Sequence, residues 1–138
     1  MKKTIILMLA LLCLSGVVQA SDSTDMARGQ RAVAGMMDAL DGEPVPVYRE
    51  LKRDLAAQLQ LVWGEAEYAA MRSQTAEKYG RMLSYRFHAF ERTEDFDRFM
   101  YIGQFTKERR VLMIYALDKQ GKIIAYSFRP YKPQSQKK

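Results

Sequence analysis

The chain has one cysteine, one histidine and one tryptophan among 138 residues, and no asparagine at all. Each scarcity excludes something. One cysteine cannot build a disulfide scaffold. One histidine with scattered carboxylates is a poor start for a zinc site, which needs three or four ligands. Without asparagine there is no N-glycosylation acceptor. No glycine-rich phosphate loop and no Gly-x-Ser-x-Gly elbow occurs. No apolar run reaches the roughly 20 residues that a membrane-spanning helix needs.

What is present begins with a targeting pattern. Lys2 and Lys3 precede a 14-residue apolar run from Ile5 to Val18. Val18-Gln19-Ala20 then places small residues at the −3 and −1 positions. A basic start, a short apolar centre and a small-x-small end read as a secretory signal peptide cleaved after Ala20. Cys13 lies inside the apolar run, behind Leu12 rather than a small residue, so it reads as a hydrophobe and leaves with the signal. The expected organisation is signal 1–20, one domain over 21–131 and a basic tail over 132–138. The expected location is periplasmic or secreted.

The formal net charge of +6 is unevenly spread. The last acid is Asp118, and six bases with no acid follow it. Lys2 and Lys3 belong to the signal, and the stretch from Ser21 to Asp118 is net −2. Nucleic-acid binding is not expected from a basic end on an exported chain, since it needs a basic stripe with aromatic platforms on a folded face.

Hydropathy periods divide the rest. Val33, Met36, Met37 and Leu40 recur at helical spacing and predict a helix over 24–41. Pro46 suits a first helical position. Val47, Leu51, Leu55, Leu59, Val62 and Trp63 continue at steps of three or four, predicting helices over 46–79 with a bend between Asp54 and Gly64. After Gly80 the period drops to 2. Leu83, Tyr85, Phe87 and Ala89 form one alternating set; Phe99, Tyr101, Gly103 and Phe105 form a second. Val111 to Leu117 is apolar throughout, as in a central strand. Asp118 to Gly121 is a hairpin turn, and Lys122 to Arg129 is the last strand. Helices followed by an antiparallel meander predict an α+β domain with the helices on one sheet face.

Leu59 to Trp63, Gly80, the aromatic strands and the closing Gly121-Lys-Ile-Ile-Ala-Tyr-Ser-Phe-Arg-Pro resemble the uncharacterised DUF3887 group of the NTF2-like superfamily. The resemblance covers about residues 26–130. It implies an NTF2-like, cystatin-like cone: N-terminal helices packed on a curved four-stranded antiparallel sheet, often with a pocket between them. It carries over no catalytic residue.

The catalytic inventory is poor. His88 has a ring suited to proton transfer near neutrality, and Glu65 or Glu67 lies near Trp63. The acids Glu91, Glu94, Asp95 and Asp97 crowd one turn without calcium-loop spacing. The aromatic inventory is rich. Trp63, Tyr85, Phe87, Tyr101, Phe105, Tyr115 and Phe128, with Tyr126, are the candidate ligand-binding set, since aromatic bodies with hydroxyl tips suit a cleft. The same rings also suit a plain core with cross-strand pairs.

The expectation is therefore a non-enzymatic envelope protein without a cofactor or metal. It would bind a small apolar ligand or a protein partner through a helix–sheet cleft or a sheet face. The alternatives are a proton-transfer enzyme and an immunity or inhibitor protein for an envelope-acting toxin. Homodimerisation through the outer sheet face would involve Met82, Met100 and Ile102.

Overall fold

The computed structural model describes residues 25–41 and 44–133. The signal segment and the end of the basic tail lie outside them. Helix α1 covers residues 25–41. Three further helices follow: α2 (Tyr48–Lys52), α3 (Ala57–Gln60) and α4 (Glu65–Tyr79). Four strands complete the chain: β1 (Met82–Arg92), β2 (Asp97–Phe105), β3 (Val111–Leu117) and β4 (Ile123–Pro130). They pair antiparallel in the order β1-β2-β3-β4. The expected α+β class and the four-stranded meander are thus present.

The long helical stretch after Pro46 is more broken than its hydropathy period predicts. Leu55 forms a parallel bridge with Ile123. Ala56 N–H donates to Ile123 O at 2.9 Å, and Ile123 N–H donates to Asp54 O at 2.8 Å. Residues 54–56 therefore satisfy the free edge of β4, and backbone groups used there cannot serve a helix. Leu55 remains buried, so the apolar period survives while the helix does not.

Helix α4 opens after Gly64, whose N–H donates to the Glu67 carboxylate at 3.1 Å. A side chain three residues on that captures the N-cap N–H is half of a capping box. The core lies between α1, α4 and one face of the sheet. Val33, Met36, Met37, Phe99, Val111, Met113, Tyr115, Leu117 and Ile123 all belong to it. Gly29 lets α1 approach Phe99: a Cβ there would stand 2.3 Å from the ring. Arg72 Nε donates to Ala39 O at 3.4 Å and ties α4 to α1.

The turn at Asp118 forms as its sequence predicts. The Asp118 carboxylate accepts from the N–H groups of Gln120 and Lys122, each at 2.9 Å, and Gly121 takes φ 81°.

Strand β1 departs from simple alternation. Its pairing with β2 shifts between Met82 and Ser84 and again between Phe87 and Ala89. Each bulge inserts a residue and reverses the faces beyond it. Met82 pairs with Phe105 and is buried on the core face. It does not share the face of Ser84 and Arg86, as the sequence period suggests. Ala89 pairs with Met100 on the outer face, and Phe90 takes the core position opposite Phe99.

Candidate functional site

Six of the seven aromatic residues expected to bind a ligand, with Tyr126, form one file of rings along the core face. Tyr85 and Phe87 on β1 meet Tyr101 on β2 at centroid distances of 5.8 and 5.6 Å. Tyr101 meets Tyr115 on β3 at 6.4 Å, and Tyr115 meets Phe128 on β4 at 5.9 Å. Phe128 lies 5.3 Å from Tyr126, which lies 5.8 Å from Trp63. Most of these contacts are edge-to-face, the arrangement that ring quadrupoles favour. Phe105 stands apart from the file and packs on Tyr79 at 5.8 Å. Odd-numbered positions on β2 and β3 share one face, which is why alternate rings of the sequence become neighbours across strands.

Burial divides the set. Trp63, Tyr101, Phe105 and Tyr115 belong to the core, and Phe128 is partly buried against it. Trp63 is fixed on several sides: its indole N–H donates to the Tyr126 hydroxyl at 3.0 Å, and its carbonyl accepts from the Tyr48 hydroxyl at 2.8 Å. Tyr115 is fully buried, and its hydroxyl donates to Met37 Sδ at 3.6 Å. Tyr85 and Phe87, by contrast, are 44% and 42% exposed. They point to the core face but stand on the edge strand, beyond the cover of the helices.

Burial also acts on the hydroxyls. It pushes the Tyr101 hydroxyl from an ordinary value of 10.0 up to about 12, with the Tyr85 hydroxyl adding to the effect. Tyr115 is held well above the ordinary range by the same cause. Tyr126 is raised by burial, opposed by its hydrogen bond from Trp63. Between pH 10 and 12 the unfolded chain has lost the Tyr101 proton while the folded chain keeps it. Stability is therefore complete below pH 10 and falls as pH rises from 10 towards 12. Urea unfolding at pH 8, 10 and 11.5 checks this; a flat profile for wild type, or one unchanged in Tyr101→Phe, contradicts it.

A groove of about 890 Å³ lies away from this file, beside α2 and α3. Leu55 and Ala56 line it together with Arg49, Lys52, Arg53 and Lys122. Helical periodicity gave no sign of it, because it forms only where residues 54–56 leave the helix to join β4. The most exposed large apolar residues, Leu61 and Val62, sit on the turn after α3.

The outer sheet face is partly closed by its own side chains. His88 on β1 meets Tyr131, just past β4, at a ring distance of 5.3 Å. These residues come from opposite edges of the sheet, so its twist draws two corners together across that face. Ile102 and Leu112 pair between them and are only 5% and 7% exposed. Met100 is half-buried. Glu65 is exposed on the first turn of α4. Among the described residues no group of three His, Cys, Asp or Glu is placed to hold a metal ion. No described helix is long and apolar enough to cross a membrane.

No protein-family model, no curated protein and no solved structure matches this chain.

Proposed function

We propose that this is an exported, non-enzymatic envelope protein with an NTF2-like architecture. In this reading it binds the apolar segment of a protein partner at the uncovered end of its aromatic file. One observation carries the proposal: Tyr85 and Phe87 extend the core's file of rings into solvent, packed edge-on against buried Tyr101. Two rings held at fixed geometry lose little side-chain freedom on contact, which favours them as anchors. The two bulges of β1 argue against addition of a partner strand along its edge, since bulges blunt such pairing. Contact through the ring faces remains. The signal pattern at 1–20 supports export, and helices preceding an antiparallel meander support the NTF2-like form.

The test is a photo-crosslinking residue at Phe87 in the protein expressed in its own host. The expected result is one discrete envelope adduct on a chain whose N-terminus is Ser21. Tyr85→Ser should abolish that adduct, whereas the same crosslinker at exposed Gln58 should yield none. A cytoplasmic chain with residues 1–20 intact, or adducts indifferent to Tyr85→Ser, would refute the reading.

A further inference from the structure

The bases of this chain do not only crowd its C-terminal end. The fold collects arginines from three segments onto the outer sheet face, around the β2–β3 turn. Arg86 on β1 pairs with Ile102, Ile102 with Leu112, and Leu112 with Arg129. Arg86 and Arg129 thus flank a buried apolar pair. One row further along, a pocket of about 210 Å³ opens, lined by Arg86, Arg109 and Arg110 with Ser84, Gln104, Ile102 and Tyr85. No carboxylate lines it. The three arginines are exposed and make no ion pair with any described acid.

Local structure holds this pocket in place. Thr106 N–H donates to Arg81 O at 3.0 Å, and Lys107 N–H donates to Tyr79 O at 2.8 Å. Phe105 N–H closes the turn on Glu108 O at 2.9 Å, and Tyr131 N–H anchors Arg110 O at 2.9 Å. The turn carrying Arg109 and Arg110 is therefore pinned to α4, to the start of β1 and to the end of β4. Ser84 Oγ lies 3.5 Å from Gln104 Oε1, which leaves the Gln104 amide N–H groups without a partner among the described residues.

We propose that this pocket binds a phosphate or phosphodiester group. Three arginines line the pocket with no carboxylate among them, and an anion there would relieve the repulsion of neighbouring like charges. Guanidinium forks match tetrahedral oxyanions with paired hydrogen bonds, more strongly than ammonium groups do. The Gln104 amide, whose oxygen accepts from the Ser84 hydroxyl, adds neutral N–H donors at the rim. The volume admits a phosphate with a small substituent and leaves the rest of the ligand outside. Such a group comes either on a small soluble molecule or on an anionic phospholipid headgroup. The pocket adjoins the ring surface, since Tyr85 borders both, but its charged groups are separate from Phe87.

The test uses the chain from Ser21 onward, which retains every core residue and omits the apolar segment at 5–18. Sodium phosphate, glycerol 3-phosphate and acetate are titrated at equal ionic strength, with arginine side-chain NMR shifts as readout. Vesicles of phosphatidylglycerol in phosphatidylcholine, and of phosphatidylcholine alone, are used for co-sedimentation. Phosphate or glycerol 3-phosphate should move the side-chain signals of Arg86, Arg109 and Arg110, and acetate should move them less. Binding only to phosphatidylglycerol vesicles would assign the headgroup as the source; binding of the soluble esters alone would assign the free ligand. The triple variant R86Q/R109Q/R110Q should weaken soluble-ester binding at least about tenfold and vesicle binding about a hundredfold. The variant K132Q/K137Q/K138Q should retain the ester shifts. An unchanged circular dichroism melt for the triple variant separates lost binding from lost fold. No response to any phosphate-bearing probe, or equal binding by the triple variant, overturns the proposal.

Discussion

Replacing Gly80 by alanine lowers the free energy of unfolding by about 2–4 kcal/mol. Gly80 ends α4 and turns the chain into β1 with φ 87° and ψ −155°. That region is almost closed to residues with a Cβ. Space is the second obstacle: a Cβ at Gly80 would stand 1.9 Å from Thr106 Oγ1 and 3.1 Å from Lys107 N. Thr106 cannot simply rotate away, because its Oγ1 accepts the Arg81 N–H at 3.0 Å. Urea denaturation of Gly80→Ala measures the effect. The double variant Gly80→Ala with Thr106→Ala separates its two causes. Removing Oγ1 relieves the clash, whereas the backbone strain stays, so only part of the loss returns. Wild-type stability in Gly80→Ala would remove the argument.

The second large effect falls on Tyr115, at the crossing of the core and the aromatic file. Tyr115→Ala should cost about 3–5 kcal/mol, the range for deleting a fully buried aromatic side chain. It removes the ring contacts to both Tyr101 and Phe128. Tyr115→Phe should change stability by less than about 1 kcal/mol, because the buried hydroxyl has only the sulfur of Met37 as acceptor. A thioether is a weak acceptor, so losing both the hydrogen bond and the buried polar atom nearly cancels. The contrast between the two variants is the measurement, by thermal or urea unfolding. Equal destabilisation would mean that the hydroxyl, and not the ring, holds the strands together.

These effects show what kind of surface the aromatic set makes. Trp63, Tyr101 and Tyr115 hold the helices to the sheet. Tyr85 and Phe87 are the most exposed rings of the set, at 44% and 42%, whereas Tyr126 and Phe128 are partly buried. A protein can carry the same ring inventory for a core or for a binding face. The division here is set by where the helices stop covering the sheet. Under the proposed function, substituting Phe87 should lower binding with little effect on folding, whereas substituting Tyr115 should do the reverse.

Much of the fold was legible in the residues. Val33, Met36, Met37 and Leu40 mark one helix face because side chains three and four apart share it. Alternation along Phe99, Tyr101, Gly103 and Phe105 marks one sheet face because successive side chains point oppositely. The continuous apolar run of β3 correctly indicates a central strand, and Asp118 to Gly121 supplies a turn with its own carboxylate acceptor. Less was legible where distant groups compete for the same backbone. Residues 54–56 carry helical hydropathy but pair with Ile123. Leu83 and His88 occupy the two register shifts of β1, and a bulge has no hydropathy signature. One extra residue sent Met82 to the core and Ala89 to the outer face.

The sequence by itself determined the class: helices before an antiparallel meander, an aromatic-rich core, no cysteine scaffold, and bases gathered after Asp118. These are local or additive properties, set by period, propensity and composition. Only the tertiary structure decided which rings stay in water and which arginines become neighbours. Arg86, Arg110 and Arg129 are far apart in the chain, and strand pairing brings them to one face. Pairing register and helix coverage are non-local, so no window of the sequence contains them.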